Sequence, residues 1–182
     1  SFVSQQLYYS LQARDIENEL VPVAVDQGLG ILVWSPIAGG LLSGKYRRGV
    51  EAPAGSRHLT EWSEPPVYYE DKLYDTIEEL VAIGDDHGVS AAQVALAYTI
   101  GKPAVTSVIV GARTEEQLAD NLASAELTLA ADEVERLDKV VEAHGLVLHV
   151  ATAQLNDDLL TNVGAYMWGS QYGMGLLEDR VG

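Results

Sequence analysis

Residues 31–46, ILVWSPIAGGLLSGKY, constrain the fold of this chain more than any other stretch. No charged side chain occurs from residue 27 to residue 43, so most of the run must be covered by other parts of a fold. Its length alone would allow a membrane segment. Pro36, the pair Gly39 and Gly40, and its Ser and Gln residues are poor material for a spanning helix, however, and argue for a strand leading into a loop. Residues 30–34, GILVW, read as a buried strand, because an apolar run bounded by turn residues calls for cover on both faces.

Strands and helices alternate around it. Residues 3–8, VSQQLY, have the β-rich character of a strand. ENELVPVAVDQG follows as a short helix, with Pro22 in its first turn and Gly28 just past its end. Residues 71–87 carry Leu73, Ile77, Leu80 and Val81 at helical spacing, closed by Gly88. Ser90 and Gln93 stand in capping-box spacing, with Val89 and Val94 set as a hydrophobic staple, so a helix runs from residue 90 towards 100 and ends at GKP. Residues 105–110, VTSVIV, form the clearest strand. They lead through GAR to Thr114, which repeats the capping-box spacing with Gln117 and opens a helix to about residue 124. A last helix is expected over 132–144, with Val134, Leu137 and Val141 on one face and Gly145 at its end. This order implies parallel βα units. Residues 45–69 mix charges, Pro, Gly and aromatics without a period, which predicts a long loop that is either functional or disordered. Beyond Gly145, LVLHVA could be a strand, and the rest has no usable period.

Composition excludes several functions. At 182 residues and 47% hydrophobic content the chain can bury one ordinary core. Its net charge of −16 should repel nucleic acid and anionic membranes, so neither is an expected partner. Absence of cysteine excludes disulfides and thiolate metal sites and fits a reducing compartment, so a cytoplasmic location is expected. His58, His87, His144 and His149 show no paired ligand spacing, and no metal site is expected. No basic segment followed by an apolar one opens the chain, so no secretory leader is expected either.

Three blocks of residues resemble the C-terminal part of the aldo-keto reductases, especially the bacterial group related to potassium-channel β subunits. QLYYSLQARDIENELVP, residues 6–22, is similar to the family's sixth-strand motif. WSPIAGGLLSGKYRRG, residues 34–49, is similar to its Trp-Ser-Pro-Leu-Ala-x-Gly-Leu-Leu-x-Gly-Lys-Tyr run. The third block joins AAQVALAYTI, VTSVIVGARTEEQLADNL and LTLAADEVERLD. Together they run in the family's order over residues 2–141. The resemblance implies an α/β fold, a partial (β/α)8 TIM barrel covering about strands 6 to 8 over residues 1–144. Residues 145–182 would be a divergent tail, a non-native extension or a segment covering the open sheet edge. In such barrels functional groups sit at the C-terminal ends of the strands.

The resemblance also implies a cofactor, NADP(H), with NAD(H) as the alternative. Gln6 would hydrogen-bond the nicotinamide carboxamide, and Trp34 would stack on the nicotinamide ring; a strand polar residue and a core tryptophan are the plain structural alternatives. Ser35, Pro36, Ile37, Gly39 and Leu41 would lie along the pyrophosphate, where small residues let the backbone approach; a tight turn is the alternative. Gly111, Ala112, Arg113 and Thr114 would surround the adenosine 2′-phosphate, Arg113 offering a planar charged donor set. Glu115 and Glu116 oppose that attraction, and Gln117 stands where many family members have a basic residue. Asn121 would reach the adenine, or else simply face solvent.

The family's catalytic tyrosine, lysine, aspartate and histidine come from its first four strands, which nothing here matches. No catalytic residue is therefore assigned, and Tyr8, Tyr9 and Tyr46 lie outside the catalytic motif. The expected function is NAD(P)H-dependent reduction of an aldehyde or ketone, with this chain holding the cofactor half. A nucleotide-binding regulatory or scaffold subunit, or an inactive fragment, is the alternative. Strands near Val3 and Val105 would be unpaired edges of an open sheet, so self-association or an N-terminal half-barrel partner is expected. Trp62, Tyr166 and Trp168 are candidates for the walls of a substrate pocket, with surface aromatics as the alternative.

Overall fold

The computed structural model describes residues 2–56 and 70–142. Trp62, Tyr166, Trp168, His58, His144, His149, Gly145 and the tail lie outside the described residues. Strands β1 (Ser4–Tyr8), β2 (Gly30–Trp34) and β3 (Val105–Ile109) form one parallel sheet in the order β1-β2-β3. Helices α1 (Leu20–Gln27), α2 (Glu70–His87), α3 (Ala91–Ile100), α4 (Glu115–Ala123) and α5 (Ala131–Glu142) accompany it, with short 3-10 segments at Asp15–Glu17 and Ala38–Ser43.

Local chemistry fixes the helix ends. At the end of α1, Gly28 takes φ 64°, while Leu29 N–H donates to Ala24 O at 2.8 Å. The end of α2 repeats this, with Gly88 at φ 68° and Val89 N–H donating to Gly84 O at 2.9 Å. Both are the left-handed closures that glycine permits, and both satisfy carbonyls that would otherwise end the helix unpaired. The α3 start carries the full reciprocal box, Gln93 N–H donating to Ser90 Oγ and Ser90 N–H to Gln93 Oε1. The α4 start carries only half of the expected box. Gln117 N–H donates to Thr114 Oγ1 at 3.2 Å, but the Gln117 amide oxygen accepts from Arg113 N–H at 2.9 Å rather than from Thr114. The side chain therefore reaches one residue further back and braces the turn ahead of the helix.

The cover on β2 also differs from expectation. Ile31 and Val33 are fully buried with Leu7, Tyr9 and Ala24, and Val21, Val105 and Val108 pack against them. The opposite face carries two rows in register: Gln6, Leu32 and Ser107, then Tyr8, Trp34 and Ile109. Leu32 and Trp34 are only half-buried there, and Gln6, Ser107 and Ile109 are exposed. An apolar run of five residues cannot tell one covered face from two, and the described helices cover one.

The second core joins Leu73, Ile77, Leu80 and Ile83 of α2 to Val94 and Tyr98 of α3 and to Leu137 and Val141 of α5. The segment after β2 is part of it. Instead of an open loop it forms two short 3-10 turns over Ala38–Ser43, separated by a kink at Gly39 and Gly40, and buries Leu41 and Leu42, while Gly44 sits against Ala91, whose Cβ a side chain at 44 would meet at 3.0 Å. The described part of the following loop is pinned to α2 by Arg47 on Glu78 and Arg48 on Asp71 and Asp75. Such exposed pairs are screened by solvent and contribute little to stability. Apolar side chains stand exposed on the two outer strands of the sheet, Phe2 and Val3 leading into β1 and Ile109 ending β3; Leu20, Val23 and Val25 of α1 and Leu118 and Leu122 of α4 are exposed as well.

Candidate functional site

Most of the residues singled out by sequence lie at the C-terminal ends of the strands or in the segments that follow them, with Gln6 inside β1 and Asn121 in α4. Trp34 closes β2 and Tyr8 closes β1 directly opposite it; their rings meet edge to face, centroids 4.7 Å apart at 60°. Gln6 lies two residues before Tyr8 on the same, uncovered face. Its neighbour Gln5 is a structural residue, donating through Nε2 to Leu20 O at 3.1 Å. The two glutamines of the strand thus have different employment, and only Gln6 is available on the Trp34 side.

Beyond Trp34 the backbone is strained. Ser35 at φ 53° and Ala38 at φ 50° adopt left-handed conformations that side chains disfavour, followed by Gly39 at 64° and Gly40 at 99°. Such residues cost about 1–3 kcal/mol each and persist where the surroundings hold them. Here Ala38 N–H donates to Ser35 O, Gly40 N–H and Leu42 N–H donate to Ile37 O, and Ala38, Leu41 and Leu42 are buried beneath. The Lys45 ammonium lies beside this turn, 3.6 Å from where a Gly40 side chain would begin and 5.0 Å from the Tyr46 ring centroid. Residue type alone does not single out Lys45; its place between Gly44 and Tyr46, in the run that resembles the family's Gly-Lys-Tyr, is the signal in the sequence.

Sheet order sets the β3–α4 turn next to the segment that follows β2. Gly111, Ala112, Arg113 and Thr114 are all exposed. Two α4 side chains brace them from behind. Gln117 accepts from Arg113 N–H, and Asn121 Nδ2 approaches Gly111 O at 3.4 Å. Arg113 thus has its backbone held while its guanidinium stays at the surface, above a helix start that also carries Glu115 and Glu116.

Behind the sheet ends lies a charged cluster. Tyr9 O–H donates to Glu17, Arg14 forks onto Glu17 at 2.9 and 2.7 Å and reaches Asp138 at 2.9 Å, and Tyr98 O–H donates to Asp138 at 2.5 Å. Burial first, and then the hydrogen bonds to these carboxylates, push both tyrosine hydroxyls far above their usual range. Tyr9 is accordingly a neutral structural donor and not an acid–base group at neutral pH. Among the described residues no group of three or more His, Asp or Glu side chains is arranged to hold a metal, and no helix is long and apolar enough to cross a membrane.

Residues 1–142 match the sequence model of the aldo/keto reductase family. The uncharacterized oxidoreductase YrpG of Bacillus subtilis is 36% identical over 145 residues, 79% of this chain and 41% of that protein. A probable voltage-gated potassium channel subunit beta of Oryza sativa is 34% identical over 146 residues, 78% of this chain and 44% of that protein. Versiconal hemiacetal acetate reductase of Aspergillus parasiticus is 31% identical over 144 residues, 76% and 40% respectively. The chain spans less than half the length of each. With strands, turns and motif residues all lying inside the matched region, this chain belongs to the aldo/keto reductase family.

Proposed function

We propose that this chain supplies the cofactor-binding half of an oxidoreductase that uses NAD(P)H to reduce an aldehyde or ketone to an alcohol, with β1, β2 and β3 as strands 6, 7 and 8 of a (β/α)8 barrel. The observation that carries the reading is the uncovered sheet face, where Gln6 and Trp34 stand beside a strained, glycine-bearing turn at the C-terminal strand ends. That surface fits the cofactor: an aromatic plane, a neighbouring carboxamide, small residues that admit a pyrophosphate, and a cation, Lys45, beside them. When bound, the cofactor would supply the hydride. Gln6 would orient the nicotinamide through its carboxamide, and Trp34 would carry the ring. Ser35, Pro36, Ile37, Gly39 and Leu41 would follow the pyrophosphate. Gly111, Ala112, Arg113, Thr114, Gln117 and Asn121 would take the adenosine end.

Exposed apolar residues at both sheet edges support a partner that completes the barrel, either an N-terminal half or a second copy. The proton donor for the carbonyl would come from that half. A second reading, a nucleotide-binding subunit without turnover, is favoured by the potassium channel subunit name of the Oryza relative. The two readings separate on reduction of a simple aldehyde by the assembled protein.

Arg113 gives the sharper test. A guanidinium that grips a 2′-phosphate makes charge-assisted bonds, so Arg113→Ala should weaken NADPH binding about tenfold or more while leaving NADH within about twofold. Titrations of both cofactors read this directly. Equal weakening of both, or of neither, would remove Arg113 from the adenosine site.

A further inference from the structure

Tyr8 is not among the residues to which the family resemblance gives a role, yet its ring packs edge to face against Trp34. The register pairs Tyr8 with Trp34 at the adjoining strand ends, so both side chains leave the sheet on the same face. An edge-to-face pair at 4.7 Å and 60° limits how far the indole can rotate about its side-chain bonds. Trp34 needs such a limit. It is only half-buried, Ile109, its other in-register neighbour, is 48% exposed, and the backbone directly after it is left-handed at Ser35. Tyr8 itself is anchored from both chain directions. Leu7 before it is buried beneath the sheet, and Tyr9 after it is fully buried with its hydroxyl on Glu17.

We propose that Tyr8 is a positioning residue for the nicotinamide: its ring edge holds the Trp34 indole in the plane on which the nicotinamide stacks. The inference rests on the cofactor reading given above. It predicts that Tyr8 acts on the nicotinamide end alone and leaves the adenosine end untouched, and that the ring matters while the hydroxyl does not.

The test compares wild type, Tyr8→Phe and Tyr8→Leu in the full chain. Each is titrated with NADPH and its nicotinamide-free analogue adenosine 2′,5′-bisphosphate, and with NADH and its analogue ADP. Loss of an aromatic pair should weaken binding of the reduced cofactor about three- to tenfold in Tyr8→Leu, with the analogue unchanged and Tyr8→Phe close to wild type. Two results would overturn the inference while leaving the cofactor reading intact: a Tyr8→Leu chain that binds the reduced cofactor as wild type does, or one that loses cofactor and analogue in equal proportion, as a general structural role would produce. A folded wild-type chain that binds neither reduced cofactor would overturn the cofactor reading and this inference together.

Discussion

Replacing Arg14 with alanine is expected to destabilise the chain by about 2–3 kcal/mol, as removing one member of a half-buried ion network leaves its partners uncompensated. Arg14 is 18% exposed in its side chain and faces two carboxylates at once, hydrogen-bonded to Glu17 through a two-bond fork and ion-paired with Asp138 through Nη1, which makes no aligned hydrogen bond of its own. Those carboxylates also take the hydroxyls of Tyr9 and Tyr98, and Asp138 takes Lys102 at 3.3 Å. Without Arg14, Glu17 keeps only a neutral donor, and the turn after β1 loses its tie to α5. The effect stays below that of a dry pair because Glu17 and Asp138 retain 28% and 27% exposure. Urea unfolding measures it, and Arg14→Lys should recover only part, since an ammonium cannot reproduce the fork. A change below about 0.5 kcal/mol would mean the cluster is an ordinary surface arrangement.

Gly84→Ala is expected to cost about 1–2 kcal/mol, although alanine is the better helix former by about 1 kcal/mol. A Cβ there would lie 2.7 Å from the Val89 carbonyl oxygen, 3.4 Å from Ser90 C and 3.5 Å from Ala91 N. These are main-chain atoms of the α2–α3 connection, and they have little freedom to retreat. The hydrogen bond from Val89 N–H to Gly84 O closes the connection on one side and the Ser90–Gln93 box closes it on the other. Thermal unfolding should show a melting temperature lower by about 2–6 °C. A rise would show that the connection yields and that helix propensity decides.

How far the sequence anticipates these features depends on the range of the interactions behind them. Gly28 and Gly88 at helix ends, and Ser90 with Gln93, act within one turn of backbone, and their spacing reveals them. Strand positions follow from apolar runs of fixed length, as for GILVW. What a local pattern cannot carry is the identity of the covering element. The burial of β2 on one face is set by where the helices lie, and the Arg14–Asp138 contact joins residues far apart in the chain. The Asp15–Glu17 turn has no periodic signal because that contact and Tyr9 hold it. The candidate site divides in the same way. Gln6, Trp34 and the Gly111–Thr114 turn were legible as motif residues, whereas the Tyr8–Trp34 ring contact and the approach of Lys45 to Gly40 require the sheet register and the folded turn.

The account turns on Trp34 as the platform of a nicotinamide site. The most direct measurement is a titration of the purified chain with NADPH and NADH, following tryptophan quenching and energy transfer to the reduced nicotinamide. The account predicts saturable binding with transfer, and a loss of about tenfold in affinity together with most of the transfer in Trp34→Ala. A folded chain that binds neither cofactor, or a Trp34→Ala chain that binds and transfers as wild type does, would contradict it.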